Sequence, residues 1–159
     1  MTGRQGRWAW GLVLPAVGLD RWMKALAGSW VEPVPLWPGI LALHRVENRG
    51  MAFGLLAGRP VLLALLSLLV LGAGCWGLSR CRLGLLTRLG SALLLAGAVS
   101  NLCDRVTVGF VTDMLELLFV RFAIFNVADC WVCLGAGLLM LSLWLRPEEW
   151  ERKRDAKAV

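Results

Sequence analysis

Residues 101–129 read NLCDRVTVGFVTDMLELLFVRFAIFNVAD, and this stretch decides how the rest of the chain is interpreted. It contains three aspartates, Asp104, Asp113 and Asp129, and strongly apolar sequence adjoins it on both sides. Ionisable side chains at membrane depth are costly, so they usually face the interior of a helix bundle or a water-filled cavity and mark a functional site. The stretch therefore predicts the functional site of a membrane protein.

The composition of the whole chain is that of an integral membrane protein. Of its 159 residues, 58% are hydrophobic and 18% are charged, whereas soluble domains are about 45–50% apolar. The net charge of +6 would suit a nucleic-acid partner, but the basic residues collect at the ends of apolar runs rather than along one polar face. We therefore expect a phospholipid membrane as the surroundings of the chain and no nucleic acid as a partner.

The apolar runs predict one mainly α-helical membrane domain over residues 1–159, with four transmembrane helices. A spanning helix needs about 20 predominantly apolar residues. Residues 28–59 contain three prolines and several charges, and they predict a small extracytoplasmic segment of short β-strands and turns between the first two helices. The expected spans are 8–27, 60–78, 84–103 and 127–145, and a basic tail at 146–159 is expected to project as a frayed helix.

The N-terminal apolar run has two possible interpretations, a cleaved signal peptide or a first span. Asp20, Arg21 and Lys24 would interrupt the apolar region just before a cleavage site, which favours a span.

The lysines and arginines of the loops set the orientation of the spans in the membrane. With four spans, ten of them lie on the side of both termini and seven on the other side. This bias predicts that both termini are cytoplasmic and that the aspartates lie near the extracytoplasmic face.

Two carboxylates are the strongest candidates for chemistry in this chain. His44 is the single histidine, so neither a Ser-His-Asp set nor a zinc cluster is expected. Cys130 and Cys133 form a C-x-x-C pair inside an apolar run, where we expect no redox role. Two acids held close in a low dielectric do not both ionise easily, so one keeps a proton while the other acts as a base. Such a pair activates water for attack on an amide.

Four blocks of sequence resemble one known family, the lipoprotein signal peptidases, also called signal peptidase II. The first is the pair Asp20 and Lys24, four positions apart in the first helix. The other three are NRGMAFG at 48–54, GAVSNLCDR at 97–105, and VTD at 111–113 followed by FNVAD at 125–129. The chain departs from the family pattern at Ser100, where glycine is usual, at Met114, where phenylalanine is usual, and at Ala123, where proline is common.

This resemblance implies a bacterial intramembrane aspartic endopeptidase of the cytoplasmic membrane. It implies cleavage of prolipoproteins on the amino side of a cysteine that already carries diacylglyceryl, with Asp113 and Asp129 as catalytic residues. No cofactor and no metal are implied, and we expect a monomer. The other residues that match the motifs are implied to bind substrate or to order the site: Asp20, Lys24, Asn48, Gly50, Asn101, Asp104, Arg105 and Asn126.

Several of these residues have simpler interpretations that the sequence leaves open. Asp20 and Lys24 are spaced to form an ion pair on one helix face. Asp104 and Arg105 could form an interfacial salt bridge, and Asn126 could cap the fourth helix. For the whole chain, the alternative to a peptidase is a small transporter or scaffold whose acids line an ion or proton path.

Overall fold

A computed structural model describes residues 7–30, 32–51, 55–81 and 83–150 of the chain. Residues 52–54 of the NRGMAFG block and the tail beyond Trp150 lie outside this description. The α-helices are Val13–Ala27 (α1), Pro60–Ser79 (α2), Leu85–Thr107 (α3) and Val127–Leu145 (α4). Within the described residues, α2, α3 and α4 are the three helices whose length and composition would let them cross a membrane. The protein is therefore mainly helical, as the sequence predicts.

The first helix is not one continuous α-helix over residues 8–27. Residues Arg7–Leu12 form a 3-10 helix, and the α-helix begins at Val13. Pro15 accounts for this boundary, because its ring clashes with the carbonyl four residues earlier and it has no N–H to donate. Proline is tolerated in the first turn of an α-helix but not in its interior. The 15-residue α1 consequently falls short of the length that defines a span by itself.

The core lies around α3, which packs against α1, α2 and α4. The contact with α4 is especially close: a Cβ on Gly97 would lie 2.2 Å from the backbone oxygen of Ala128, and one on Gly135 would lie 2.6 Å from the backbone oxygen of Gly90. Small residues allow the backbones of membrane helices to approach in this way. The helix α3 also runs to Thr107, four residues beyond the predicted end of its span, so it carries Asp104 within its last turn.

The strands form a three-stranded antiparallel sheet in the order β1-β2-β3. Val34–Trp37 (β1) and Leu41–Asn48 (β2) lie in the predicted extracytoplasmic segment. Val111–Leu117 (β3) comes from the stretch after α3, where the sequence analysis predicts no strand. In the β2–β3 register Asn48 faces Val111, and Val46 faces Asp113. The sheet therefore joins two segments that are distant in sequence and places one candidate catalytic residue on β3.

The residues after α4 fold back onto the bundle at the end of α3 opposite Asn101. Pro147–Glu149 form a 3-10 helix, and Oε2 of Glu149 accepts a 3.0 Å hydrogen bond from the N–H of Gly84, the N-cap residue of α3. The same oxygen accepts a 2.5 Å hydrogen bond from Oγ1 of buried Thr87. The expectation of a frayed helix projecting from Arg146 is thus corrected for the residues up to Trp150, because Glu149 supplies the cap that Gly84 lacks.

Candidate active site

The two candidate catalytic aspartates come from different elements and are joined through Asn126. Asp113 lies on β3 and is 2% exposed, while Asp129 lies in the first turn of α4. The side-chain nitrogen of Asn126 donates to Oδ1 of Asp113 at 2.6 Å, and its backbone N–H donates to Oδ2 of Asp129 at 3.2 Å. One residue therefore contacts both carboxylates.

Asn126 is also the N-cap of α4, as the sequence suggests. Its Oδ1 accepts the N–H of Asp129 at 2.9 Å, and Asp129 returns a bond to the Asn126 backbone, which completes a capping box. A capping box satisfies two backbone donors that the first helical turn would otherwise leave without partners. The capping role and the contact with Asp113 coexist, because the amide group of Asn126 offers one acceptor and two donors.

Two further asparagines each donate to one aspartate. Asn48, at the end of β2, donates from Nδ2 to Oδ2 of Asp113 at 2.9 Å, and its own Oδ1 accepts the N–H of Gly50 at 2.9 Å. Asn101 on α3 donates from Nδ2 to Oδ1 of Asp129 at 2.8 Å. With Asn126, these residues place amide donors on all four oxygens of the two candidate catalytic carboxylates.

A cluster of charged side chains from α1 and α3 contacts Asn101 through Lys24. Lys24 is 7% exposed, and its Nζ lies 2.8 Å from Oδ2 of Asp20 and 2.8 Å from Oδ2 of Asp104. It also donates to Oδ1 of Asn101 at 2.9 Å. The predicted ion pair between Asp20 and Lys24 is thus present. Since buried charges are stable only when they are paired and hydrogen-bonded, this cluster fixes the side of Asn101 that faces away from Asp129.

The salt bridge between Asp104 and Arg105, one interpretation that the sequence leaves open, is not the arrangement found among the described residues. Among the described residues, the ion-pair partners of Asp104 are Lys24 and Arg21. Neighbouring residues on a helix point in different directions, so Arg105 faces the sheet instead. Its guanidinium donates to the backbone oxygens of Asn101 and Gly50, each at 3.4 Å. Arg105 therefore links α3 to the end of β2 beside Asn48.

Burial raises the pKa of Asp113 from 3.8 to about 6. The cause is the loss of water around the carboxylate, which disfavours its charged form. The hydrogen bonds from Asn48 and Asn126 oppose this increase, and the nearby negative charge of Asp129 adds to it. Asp113 therefore gains or loses its proton near neutral pH, which is the range that acid-base chemistry at physiological pH requires.

Two further residues join the site that were not predicted from the sequence. Ser100 donates from Oγ to Oδ2 of Asp20 at 2.6 Å, and both side chains are fully buried. Arg21, which the sequence analysis treats only as a basic residue, pairs with Asp104. Ser100 could have been found from its place next to Asn101 in a helix, where a hydroxyl in an apolar run needs a partner. His44 lies apart from these groups and pairs with Glu116 across β2 and β3 at 2.8 Å.

Comparison with known proteins gives consistent matches over most of the chain. The family model described as "Signal peptidase (SPase) II" matches residues 12–145. A protein named "Lipoprotein signal peptidase" from Streptococcus thermophilus (strain CNRZ 1066) is 36% identical over 140 residues, which are 83% of this chain and 89% of that protein. One with the same name from Gloeobacter violaceus is 38% identical over 138 residues, covering 84% of this chain and 80% of the relative.

Solved structures show the same fold. A bacterial membrane enzyme structure obtained by the in meso method at 2.3 Å resolution superposes with a TM-score of 0.81 at 24% sequence identity, covering 91% of this chain and 92% of the other. The second, at 1.9 Å resolution, gives a TM-score of 0.78. The resemblance drawn from the four sequence blocks is confirmed by the family model and by these relatives, and the chain belongs to the signal peptidase II family of peptidases.

Proposed function

We propose that this protein is an aspartic endopeptidase that removes signal peptides from diacylglyceryl-modified prolipoproteins, cleaving on the amino side of the lipidated cysteine. Membership of the signal peptidase II family supports a peptidase, and the names of the relatives support lipoprotein precursors as its substrates. The observation that carries the aspartic mechanism is the contact of Asn126 with both Asp113 and Asp129. Through this contact Asn126 holds two carboxylates, one from a strand and one from a helix, in one polar site.

In the proposed reaction the two aspartates share one proton. The ionised partner takes a proton from a water molecule, whose oxygen attacks the scissile carbonyl carbon. The protonated partner donates its proton to the carbonyl oxygen, which gives a tetrahedral diol. As this intermediate collapses, the proton taken from water passes to the leaving nitrogen and the C–N bond breaks, while a hydroxyl proton of the diol returns to the other aspartate and restores the pair with one proton. The raised pKa of Asp113 supports its presence in a pair of this kind. The titration belongs to the pair as a whole, so the acid and base roles are not divided between the two residues.

The remaining motif residues order this pair in the proposed mechanism. Asn48 and Asn101 each orient one carboxylate, and the buried ammonium of Lys24 holds Asn101 in place. Preorganised donors of this kind require no rearrangement during reaction, which favours the transition state. Arg105 and Gly50 secure the end of β2, and Asp20 and Asp104 balance the charge of Lys24.

We further propose that the chain crosses the bacterial cytoplasmic membrane four times as a monomer, with both termini in the cytoplasm and the site near the extracytoplasmic face. The α-helix α1 is about 22 Å long at 1.5 Å per residue, and the preceding 3-10 helix adds about 12 Å. Their sum reaches the hydrocarbon thickness of about 30 Å. The mostly exposed apolar surface of α2 suits contact with phospholipid, with the acyl chains of the substrate, or with its signal-peptide helix.

The proposed function is tested with purified protein in detergent and a synthetic lipidated precursor peptide. We expect cleavage on the amino side of the diacylglyceryl-cysteine, identified by mass spectrometry, and none of the same peptide with a serine at that position. The alternative of a small transporter or scaffold with acids along an ion path is not favoured by the family match. Protein that leaves the lipidated peptide intact while it moves protons into liposomes would establish that alternative instead.

A further inference from the structure

Ser100 is a buried residue of α3 that contacts neither of the proposed catalytic aspartates directly in the hydrogen bonds of the described residues. Its side chain is fully buried in α3, and its hydroxyl donates a 2.6 Å hydrogen bond to Oδ2 of Asp20 in α1. The other oxygen of Asp20, Oδ1, accepts the backbone N–H of Ala128 at 2.8 Å. Through one buried carboxylate, a serine on α3 is connected to the first turn of α4.

That turn of α4 contains Asp129, one of the two candidate catalytic residues. Ala128 directly precedes Asp129, and Asn126 closes the turn through the capping box. Asp20 therefore fixes the backbone between Asn126, which contacts both carboxylates, and Asp129, which is one of the two. Its position depends in turn on two hydrogen-bond donors, the Ser100 hydroxyl and the Ala128 amide, and on the ion pair with the Lys24 ammonium.

Removing the Ser100 hydroxyl would change how Asp20 is held. Oδ2 of Asp20 would then keep, among these three groups, only its ion-pair partner Lys24. Lys24 also forms an ion pair with Asp104 and a hydrogen bond to Asn101, so its interaction with Asp20 competes with two others. A buried carboxylate that loses a hydrogen bond shifts toward its remaining partners, because an unsatisfied charge in the interior is costly. Such a shift of Asp20 would also move the Ala128 amide that its Oδ1 holds.

We propose that Ser100 is a positioning residue for peptide-bond cleavage, acting through Asp20 on the α4 turn that carries Asn126 and Asp129. This inference rests on the proposed function. Because Ser100 is fully buried, it makes no contact with substrate, and its loss should leave binding unchanged. Small misplacements of reacting groups lower the rate of the chemical step. A loss confined to kcat is the signature of an interaction that matters in the transition state alone.

The test compares Ser100→Ala with Ser91→Ala in kcat, KM and thermal stability. Ser91 is a matched control, since it is also buried in α3 and its hydroxyl, among the described residues, bonds only to the backbone oxygen of Thr87, at 2.7 Å. We expect Ser100→Ala to lower kcat by about threefold or more, with KM within about twofold of wild type. Ser91→Ala should keep the wild-type kcat, and both variants should melt within a few degrees of each other. Ser100→Gly, which removes the same hydroxyl, should reproduce the lower kcat.

The outcomes separate this inference from the function on which it rests. Wild-type protein that does not cleave the lipidated peptide overturns both. If wild type cleaves and Ser100→Ala or Ser100→Gly matches Ser91→Ala in kcat, the positioning role alone is overturned. A rise in KM that accounts for the whole loss of kcat/KM would also overturn it, because Ser100 would then act on substrate binding.

Discussion

The side-chain amide of Asn126 donates a 2.6 Å hydrogen bond to Oδ1 of Asp113. The two residues belong to separate elements, since Asn126 caps α4 and Asp113 lies on β3. The bond therefore ties the sheet to the first turn of the helix that carries Asp129. In the proposed mechanism this link keeps the two carboxylates close enough to share a proton. The pKa of each should therefore depend on the charge of the other.

The first prediction concerns the carboxylates themselves. We expect Asp113→Asn and Asp129→Asn each to lower the rate on a lipidated peptide by about 100-fold or more, because an amide supplies neither the acid nor the base role. Both variants should still accumulate in the membrane. Glu47→Gln is the control, since Glu47 lies on β2 and its ion-pair partners within the described part of the chain are exposed Arg45 and Arg49. A variant of either aspartate that keeps more than about a tenth of the rate would remove that residue from the catalytic pair.

The second prediction follows from the raised pKa of Asp113, about 6. The hydrogen bond from Asn48 stabilises the ionised carboxylate, so Asn48→Ala should raise this pKa further. We expect a titration near pH 6 in the profile of kcat/KM, and in Asn48→Ala it should move to higher pH. Histidine side chains in general titrate in the same range, and His44→Gln should leave the profile in place. A profile that moves with His44→Gln and not with Asn48→Ala would contradict the assignment to the aspartate pair that contains Asp113.

The sequence predicted the elements whose signal is local. The helix α2 begins at residue 60, where the predicted span begins, and Asn126 caps α4 as the sequence suggests, because proline at a helix start and asparagine at an N-cap act on the backbone beside them. The strands β1 and β2 also lie within the predicted segment. These features depend on neighbouring residues alone, so composition and spacing were sufficient to find them.

Features that depend on distant partners were not predicted. The strand β3 pairs with β2 over a separation of more than sixty residues, and no alternation of apolar and polar residues marks it clearly in the sequence. The helix α3 extends past Asp104 because Lys24 and Arg21 of α1 neutralise that charge. The candidate site residues were identified by motif, but the partners of Asp104 and Arg105 were decided by helix packing.

The third prediction tests the proposed topology by cysteine labelling on a cysteine-free background. The loop bias in lysine and arginine predicts that a cysteine at Ser79, at the end of α2, reacts only from the cytoplasmic side. One at Pro35 in β1 should react only from outside. Lys153 lies outside the described residues, and a cysteine there should react from the cytoplasm. Labelling of Ser79 from the outside would reverse the orientation and move the site to the cytoplasmic face.

The fourth prediction concerns the close packing of α3 against α4. In Gly97→Ala the new Cβ would meet the backbone oxygen of Ala128 at 2.2 Å and Cγ2 of Val132 at 2.8 Å, so α4 must move away. We expect a destabilisation of about 1–3 kcal/mol and a lower kcat, because the displaced turn also holds Asp129. Gly137→Ala in α4 is the control, since its Cβ would meet no atom of the described residues within 4 Å. Equal melting temperatures for the two variants would contradict the close approach.

The last prediction concerns Glu149, which supplies the cap of α3 from outside that helix. Its carboxylate accepts from the N–H of Gly84 and from buried Thr87, so Glu149→Ala leaves both donors without this partner. Hydrogen bonds to a charged group contribute about 1.5–3 kcal/mol, and we expect a fall in melting temperature of about 3 °C or more. Glu148→Ala is the matched control, because Glu148 is 62% exposed and lies 3.9 Å from Arg146.

Glu149→Ala should leave KM for the lipidated peptide unchanged, because the cap lies at the end of α3 opposite Asn101. Gly84→Ala offers an independent check, since its Cβ would lie 1.9 Å from Oε1 of Glu149 and would displace the carboxylate. The two variants should therefore lose similar stability, and combining them should add little, because both remove the same contact. Additive losses in the double variant would show that Glu149 stabilises the protein by some other contact.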